Sequence, residues 1–157
     1  MQNNKALTYF RWIIAGPAGL LAWFGANHSV GMAFGFIHGY DVLDSFWEAP
    51  DMNGMLLKGT YIIAITRIVA AASLVTVILF MVPRYHKQVA TVVTSLVAAA
   101  ALGLLGFIWF EAFKADVAIG PEGWYRYILD ALSIVLGGLL GAWMGYGSRQ
   151  KKRVPVS

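Results

Sequence analysis

The chain has 157 residues, of which 59% are hydrophobic and 13% are charged. Because a soluble domain of this size has about 45–50% apolar and about 25% charged residues, this composition argues against a soluble globular protein. The absence of cysteine excludes disulfide frameworks, thiolate catalysis, and zinc or iron–sulfur sites with cysteine ligands. The net charge of +4 arises from basic residues near the ends of apolar runs, a placement typical of membrane proteins rather than of nucleic-acid-binding proteins.

Four apolar segments follow one another along the chain, and each is long enough to cross a hydrocarbon layer of about 30 Å as a helix. We therefore predict an all-α fold, an integral membrane four-helix bundle that forms a single domain. The predicted transmembrane helices comprise residues 12–37, 60–82, 89–112 and 124–146. Because the first segment is longer than a bilayer requires, we expect it to tilt, to bend near Pro17 or to protrude from the membrane.

Basic residues mark the same side of the membrane at every second connection. Lys5 and Arg11 precede the first helix, Arg84 and Lys87 lie between the second and third helices, and residues 147–157 form a basic tail. The two other loops carry most of the acidic residues. The positive-inside rule therefore predicts a multi-pass protein of the inner (plasma) membrane with both termini in the cytoplasm.

The first outer loop contains a short amphipathic pattern. In residues 41–50, apolar side chains recur at helical spacing between three acidic residues. This pattern predicts a short interfacial helix in the headgroup region, anchored by Trp47. Trp124, at the start of the fourth segment, is expected to be a second interfacial anchor.

Four ionisable side chains, one from each predicted helix, fall in the outer half of the membrane. They are His28, Arg67, Glu111 and Asp130. Ionisable residues inside a membrane normally face the helix bundle and pair with one another. We therefore predict that Arg67 pairs with Asp130 and that Glu111 is a second acceptor.

The function of this polar cluster is open to three interpretations. The ion pair could fix helix packing and register alone. Alternatively, Arg126 could neutralise Asp130 one turn away and leave Arg67 to reach headgroup phosphates. Finally, the cluster could be a site that handles protons, ions, a quinone or a lipid headgroup.

His28 admits a structural and a functional interpretation. We favour hydrogen bonding across helices together with Asn27 and Ser29, and the alternatives are a proton relay or a quinone contact. A haem with two histidine ligands is not expected within one chain, because His38 is on the same helix and His86 is in a loop. No metal-ligand spacing is present either, so no cofactor is predicted, with a quinone or a lipid as the alternative.

Two predicted helices carry glycine at every fourth position, which lets helix backbones approach closely in lipid. These helix-packing candidates are Gly31, Gly35 and Gly39 in the first helix and Gly137, Gly141 and Gly145 in the fourth. The two ridges lie at opposite ends of the membrane. We therefore expect at least one of them to meet the second or third helix, or a different subunit.

The layout of the chain resembles that of small four-helix bacterial inner-membrane proteins of the DoxX type, some of which accompany oxidoreductases. We predict an accessory or structural subunit of a larger membrane complex, for example a respiratory complex. Its partners would be the lipid bilayer and other membrane subunits or copies of itself, but not nucleic acid.

The first alternative is a homo-oligomeric ion channel or small-solute transporter lined by Arg67, Asp130 and Glu111. The second is a quinone-interacting membrane oxidoreductase component that uses His28 and Arg67.

Overall fold

The structure is a computed structural model that describes residues 3–38, 55–115 and 121–150. Within these ranges the chain forms four helices and no strand. The helices are α1 (Asn3–His38), α2 (Met55–Met81), α3 (His86–Lys114) and α4 (Pro121–Gln150). All four are long and apolar enough to cross a membrane, which confirms the all-α fold and indicates a multi-pass membrane protein.

The helices extend beyond the predicted apolar segments. Helix α1 begins at Asn3 rather than near residue 12, because residues 3–11 are polar and aromatic but contain no helix breaker. At a rise of about 1.5 Å per residue, α1 is about 54 Å long and exceeds the thickness of the hydrocarbon layer. Helix α4 continues to Gln150, into the predicted tail. The predicted interfacial helix with Trp47, and the remainder of the tail, lie outside the described residues.

Helix α2 is at the centre of the fold. It packs against α1 on one side and α4 on the other, whereas the α1 and α4 backbones do not approach each other in the described ranges. Helix α3 packs mainly against α4, so the helices follow the order α1–α2–α4–α3. In the most apolar part of each helix, 44% of residues are buried in α2 and 33% in α4, but only 6% in α1 and in α3. The core therefore lies along α2 and its contact with α4.

Small residues bring the backbones of α2 and α4 together. A Cβ atom added at Gly141 would lie 2.5 Å from the carbonyl oxygen of Ala72 and 2.9 Å from its Cα. Gly137 similarly faces the Ile68 carbonyl, and Gly145 faces Leu79. Because later residues of α4 contact later residues of α2, the two helices are parallel. Because lipid is as apolar as the side chains, close packing of this kind is a main source of helix association in a membrane.

The packing of α1 against α2 is antiparallel. Near the α1 N-terminal half, a Cβ atom at Gly19 would overlap Ile78, and further along, the rings of Phe34 and Tyr61 meet edge to face at 5.8 Å. The Arg11 guanidinium also donates a hydrogen bond of 3.4 Å to the Phe80 carbonyl, in the last turn of α2. These contacts hold α1 along one side of α2 from end to end.

We expect Gly141→Ala to lower the free energy of unfolding by about 1–3 kcal/mol, because the added methyl group would overlap the α2 backbone. Gly106→Ala in α3 is the matched control, since a Cβ atom there meets no other atom within 4 Å. It should leave the free energy of unfolding unchanged or raise it by up to about 1 kcal/mol, because alanine favours a helix more than glycine does. Unfolding of the purified protein in mixed micelles, followed by tryptophan fluorescence, measures both values. Equal effects of the two substitutions would contradict the described packing of α2 against α4.

Candidate functional site

The candidate site is centred on Arg67 of α2. Its Nε donates a hydrogen bond of 2.8 Å to Oδ1 of Asp130 in α4, so the two side chains form an ion pair. Its Nη1 donates a second hydrogen bond, of 3.0 Å, to Oδ1 of Asn27 in α1. One guanidinium of α2 therefore contacts two other helices, and we call Asn27, Arg67 and Asp130 the arginine bridge.

The length and direction of the Arg67 side chain make the ion pair feasible. Gly137 faces Ile68, so the Cα atom of Arg67 lies at nearly the same height along the bundle as Gly137. Asp130 lies about two turns, or about 10 Å, nearer the N-terminus of α4 than Gly137 does. Helical side chains lean toward the N-terminus of their own helix. Since α2 and α4 are parallel, Arg67 leans toward Asp130, and only a long side chain can cover this separation.

The arginine bridge joins two helices whose backbones do not approach each other in the described ranges. The α1 and α4 backbones stay apart in the described ranges, and each packs on α2. Asn27 and Asp130 nevertheless bind the same guanidinium. The bridge therefore sets the positions of α1 and α4 relative to each other as well as to α2.

The ion pair is only partly buried. The side chain of Arg67 is 33% exposed and that of Asp130 is 26% exposed. On the same face of α2, further toward its C-terminus, Ala71 is completely buried and Leu74 is 8% exposed. The bridge thus lies beside a buried part of α2 but keeps contact with its surroundings.

The packed side offers no polar route across the protein. Between Arg67 and Arg84 the sequence of α2 and its following turn contains no acidic or basic residue. The α4 backbone covers this part of α2 through Gly137, Gly141 and Gly145. A pathway for protons or ions between α2 and α4 would have to pass this contact, which is too close to hold water.

Glu111 is not the second acceptor of Arg67 in the structure, because Asn27 occupies that role. Helix α3 meets α4 where Thr94 and Val97 face Gly138. Measured from that contact, Glu111 is about 21 Å along α3, whereas Asp130 is about 12 Å along α4 in the same direction. Glu111 therefore lies closer to the membrane surface than the bridge, and it is exposed.

His28 does not face the bridge either. Its side chain is exposed and makes no hydrogen bond within the described ranges, whereas the preceding residue, Asn27, contacts Arg67. Adjacent helical residues differ by about 100° in direction, so only one of the two can point at α2. The sequence contained a signal for Asn27, because Gly19, Trp23 and Asn27 are spaced four apart and the first two pack against α2 or its core.

The remaining predicted site residues are dispersed. Of the first glycine ridge, Gly31 borders open space, Gly35 is buried and Gly39 lies outside the described residues. The second ridge lines the contact with α2. Trp124 is half-buried near the start of α4, and Trp47 lies outside the described residues. In the part of the chain that the structure describes, no three metal-ligating side chains come together.

We expect Arg67→Met and Asp130→Leu each to destabilise the protein by leaving an unpaired charge, whereas the double variant should recover most of the loss. The expected coupling energy is about 1–3 kcal/mol. Exchanging the two charges would be a weaker test, because an arginine at 130 would lean away from residue 67. Unfolding in mixed micelles measures the cycle, with Glu111→Gln as the control for an exposed carboxylate. Additive effects of the single substitutions would rule out the pair.

Comparisons with known proteins leave the family of this chain unassigned. No family model, no curated protein sequence and no solved structure gives a significant match. The similarity to the DoxX type is therefore one of layout alone.

Proposed function

We propose that the chain is an accessory or structural subunit of a larger assembly in the bacterial inner membrane. The observation that carries this proposal is the exposure of α1 and α3, whose most apolar parts are only 6% buried within the protomer. Two of the four helices thus leave most of their surface for contact with other molecules. A respiratory assembly is the type to which the layout resemblance points.

The exposure of His28 supports contact with protein rather than with lipid alone. The histidine lies on α1, about 15 Å from the end of that helix, where it would be inside the hydrocarbon layer. An ionisable side chain facing lipid is costly, and such residues normally face protein or a water-filled cavity. A polar group of a partner subunit would satisfy the imidazole on this face.

The transport alternative derives its support from the partial exposure of Arg67 and Asp130. We favour the structural role, because the close contact of α2 with α4 obstructs a route through the protomer. In this proposal the arginine bridge holds α1 and α4 at a fixed separation, and the exposed faces of α1 and α3 bind neighbouring subunits.

The proposal includes an orientation with both chain termini in the cytoplasm. The absence of cysteine makes this testable by single-cysteine labelling. Tyr85→Cys, in the exposed turn between α2 and α3, should resist a membrane-impermeant maleimide in intact cells and react after permeabilisation. Ala115→Cys, exposed at the opposite end of α3, is the matched control and should react in intact cells. The reverse pattern would contradict the orientation.

The subunit role predicts that the chain copurifies with membrane proteins of different sequence in fixed stoichiometry. Mild detergent extraction followed by native mass spectrometry measures the partners and their copy numbers. Substitution of exposed His28 by leucine should weaken that association, whereas Leu21→Ala, two helical turns earlier on the same face and also exposed, should have a smaller effect.

A symmetric oligomer of this chain alone would contradict the subunit role. Ion flux in liposomes that is lost in Arg67→Ala or Asp130→Asn would establish the transport alternative instead, provided that both variants still assemble. If both variants assemble and no flux is detected with the unsubstituted chain, the transport alternative fails.

A further inference from the structure

We propose that one end of the helix bundle is a surface that binds the headgroups of anionic phospholipids. In the described ranges this end carries basic side chains and no acidic ones, and we call it the basic end. Its described members are Lys5, Arg11, Arg84 and Lys87. The proposal does not depend on the subunit role. It rests on where the helices end, on the charge of the stretches that meet there and on the exposure of their side chains.

The start of α1, the turn between α2 and α3, and the last turns of α4 come together at the basic end. The Arg11 guanidinium of α1 donates a hydrogen bond of 3.4 Å to the carbonyl of Phe80, in the last turn of α2. Gly145, near the end of α4, faces Leu79 in that same turn of α2. The three stretches therefore share one level along the bundle.

These stretches contain no acidic residue that could neutralise them. All eight acidic residues of the chain lie in residues 41–51 and 111–130. No described acidic residue is closer along the helices than Asp130, which is about 22 Å along α4 from Gly145 and is already paired with Arg67. By contrast, eight of the twelve lysines and arginines occur in residues 5–11, 84–87 and 149–153.

The contact of Arg11 positions a charge without cancelling it. The hydrogen bond caps the last turn of α2, but its acceptor is an uncharged carbonyl, and a helix end carries only about half a negative charge. The start of α3 adds a partial charge of the opposite sign at the same end. The side chains of Lys5, Arg84 and Lys87 are exposed. The basic end therefore keeps a positive charge among the described residues.

The basic end lies at the level of lipid headgroups. The apolar span of α2 ends at Met81, next to the acceptor of Arg11, and Arg84 and Lys87 follow directly after that span. Aromatic side chains of the kind that favour the membrane interface are exposed at about the same level, namely those of Trp12, Tyr85, Trp143 and Tyr146. Exposed lysine and arginine side chains at this level reach lipid phosphates without entering the hydrocarbon layer.

The start of α1 favours a lipid surface over an acidic protein segment. Between Lys5 and Arg11, the side chains of Leu7, Tyr9 and Phe10 are 58%, 69% and 60% exposed. Exposed apolar and basic side chains next to each other on one helix are typical of segments that lie in a membrane interface. The apolar side chains enter the lipid there, and the basic side chains bind the anionic headgroups.

Two double variants remove the same charge from opposite ends of the bundle. Arg84→Gln with Lys87→Gln removes two positive charges from exposed positions of the basic end. Lys58→Gln with Lys114→Gln removes two positive charges from the opposite ends of α2 and α3 and is the matched control. Glutamine has nearly the same helix propensity as lysine and arginine, so both variants should fold.

The test is native mass spectrometry of the full-length, delipidated protein, titrated with an equimolar mixture of phosphatidylglycerol and phosphatidylcholine with the same acyl chains. Each basic residue near an anionic headgroup contributes about fivefold in affinity, so we expect phosphatidylglycerol to be preferred by at least about tenfold. Arg84→Gln with Lys87→Gln should lower this preference by at least about fivefold. Lys58→Gln with Lys114→Gln should change it by less than about twofold.

Three results would overturn the proposal. Equal binding of the two lipids by the unsubstituted chain would show that the basic end does not select anionic headgroups. Equal effects of the two double variants would show that total charge, and not the basic end, determines the preference. Loss of partner subunits in Arg84→Gln with Lys87→Gln, at unchanged lipid preference, would show that the basic end binds an acidic protein segment. Bound lipids and subunits give separate mass shifts, so failure of this proposal is distinguishable from failure of the subunit role.

Discussion

A guanidinium inside a membrane needs acceptors, and in this protein the acceptors come from two helices whose backbones do not approach each other in the described ranges. Arg67 of the central helix binds Asp130 of α4 and Asn27 of α1. Removing one partner would leave a charge or a polar group unmatched in a medium that solvates it poorly. The positions of three helices are thus coupled through one side chain, and the exposed faces of α1 depend on that coupling for their orientation.

Beside this side chain, α2 and α4 are in close contact. Gly137 and Gly141 of α4 approach the α2 backbone so closely that even a methyl group would overlap it. Arg67 and Asp130 themselves retain part of their exposure. Backbone contact supplies the packing that hydrophobic burial cannot supply in lipid, and such contact fits a structural subunit.

The helices and part of the bridge were predictable from sequence for simple physical reasons. Apolar runs of sufficient length must be membrane helices, and an arginine in one run requires an acceptor at a similar depth, which led to Asp130. The second acceptor was not predictable in the same way. Depth alone does not distinguish His28 from Asn27, because neighbouring residues on a helix lie at the same depth but about 100° apart.

For Glu111, the sequence likewise indicated the depth in the membrane but not which side chains it meets. It is close to the membrane surface, as its position in the third segment indicated, but α3 packs mainly against α4 and does not bring it to Arg67. The order of the helices around α2 determines which side chains meet, and that order depends on packing between segments distant in sequence. The start of α1 at Asn3 was missed because polarity marks the limit of the membrane and not the limit of a helix.

The most direct test of the central claim is the distance between α1 and α4. Spin labels at Ala33→Cys and Leu132→Cys, both exposed positions in a chain without cysteine, allow this distance to be measured by pulsed electron paramagnetic resonance in lipid nanodiscs. If Arg67 couples the two helices, the labelled protein gives one narrow distance distribution, and the further substitution Arg67→Met broadens or shifts it. A distribution that is unchanged by Arg67→Met would contradict the account.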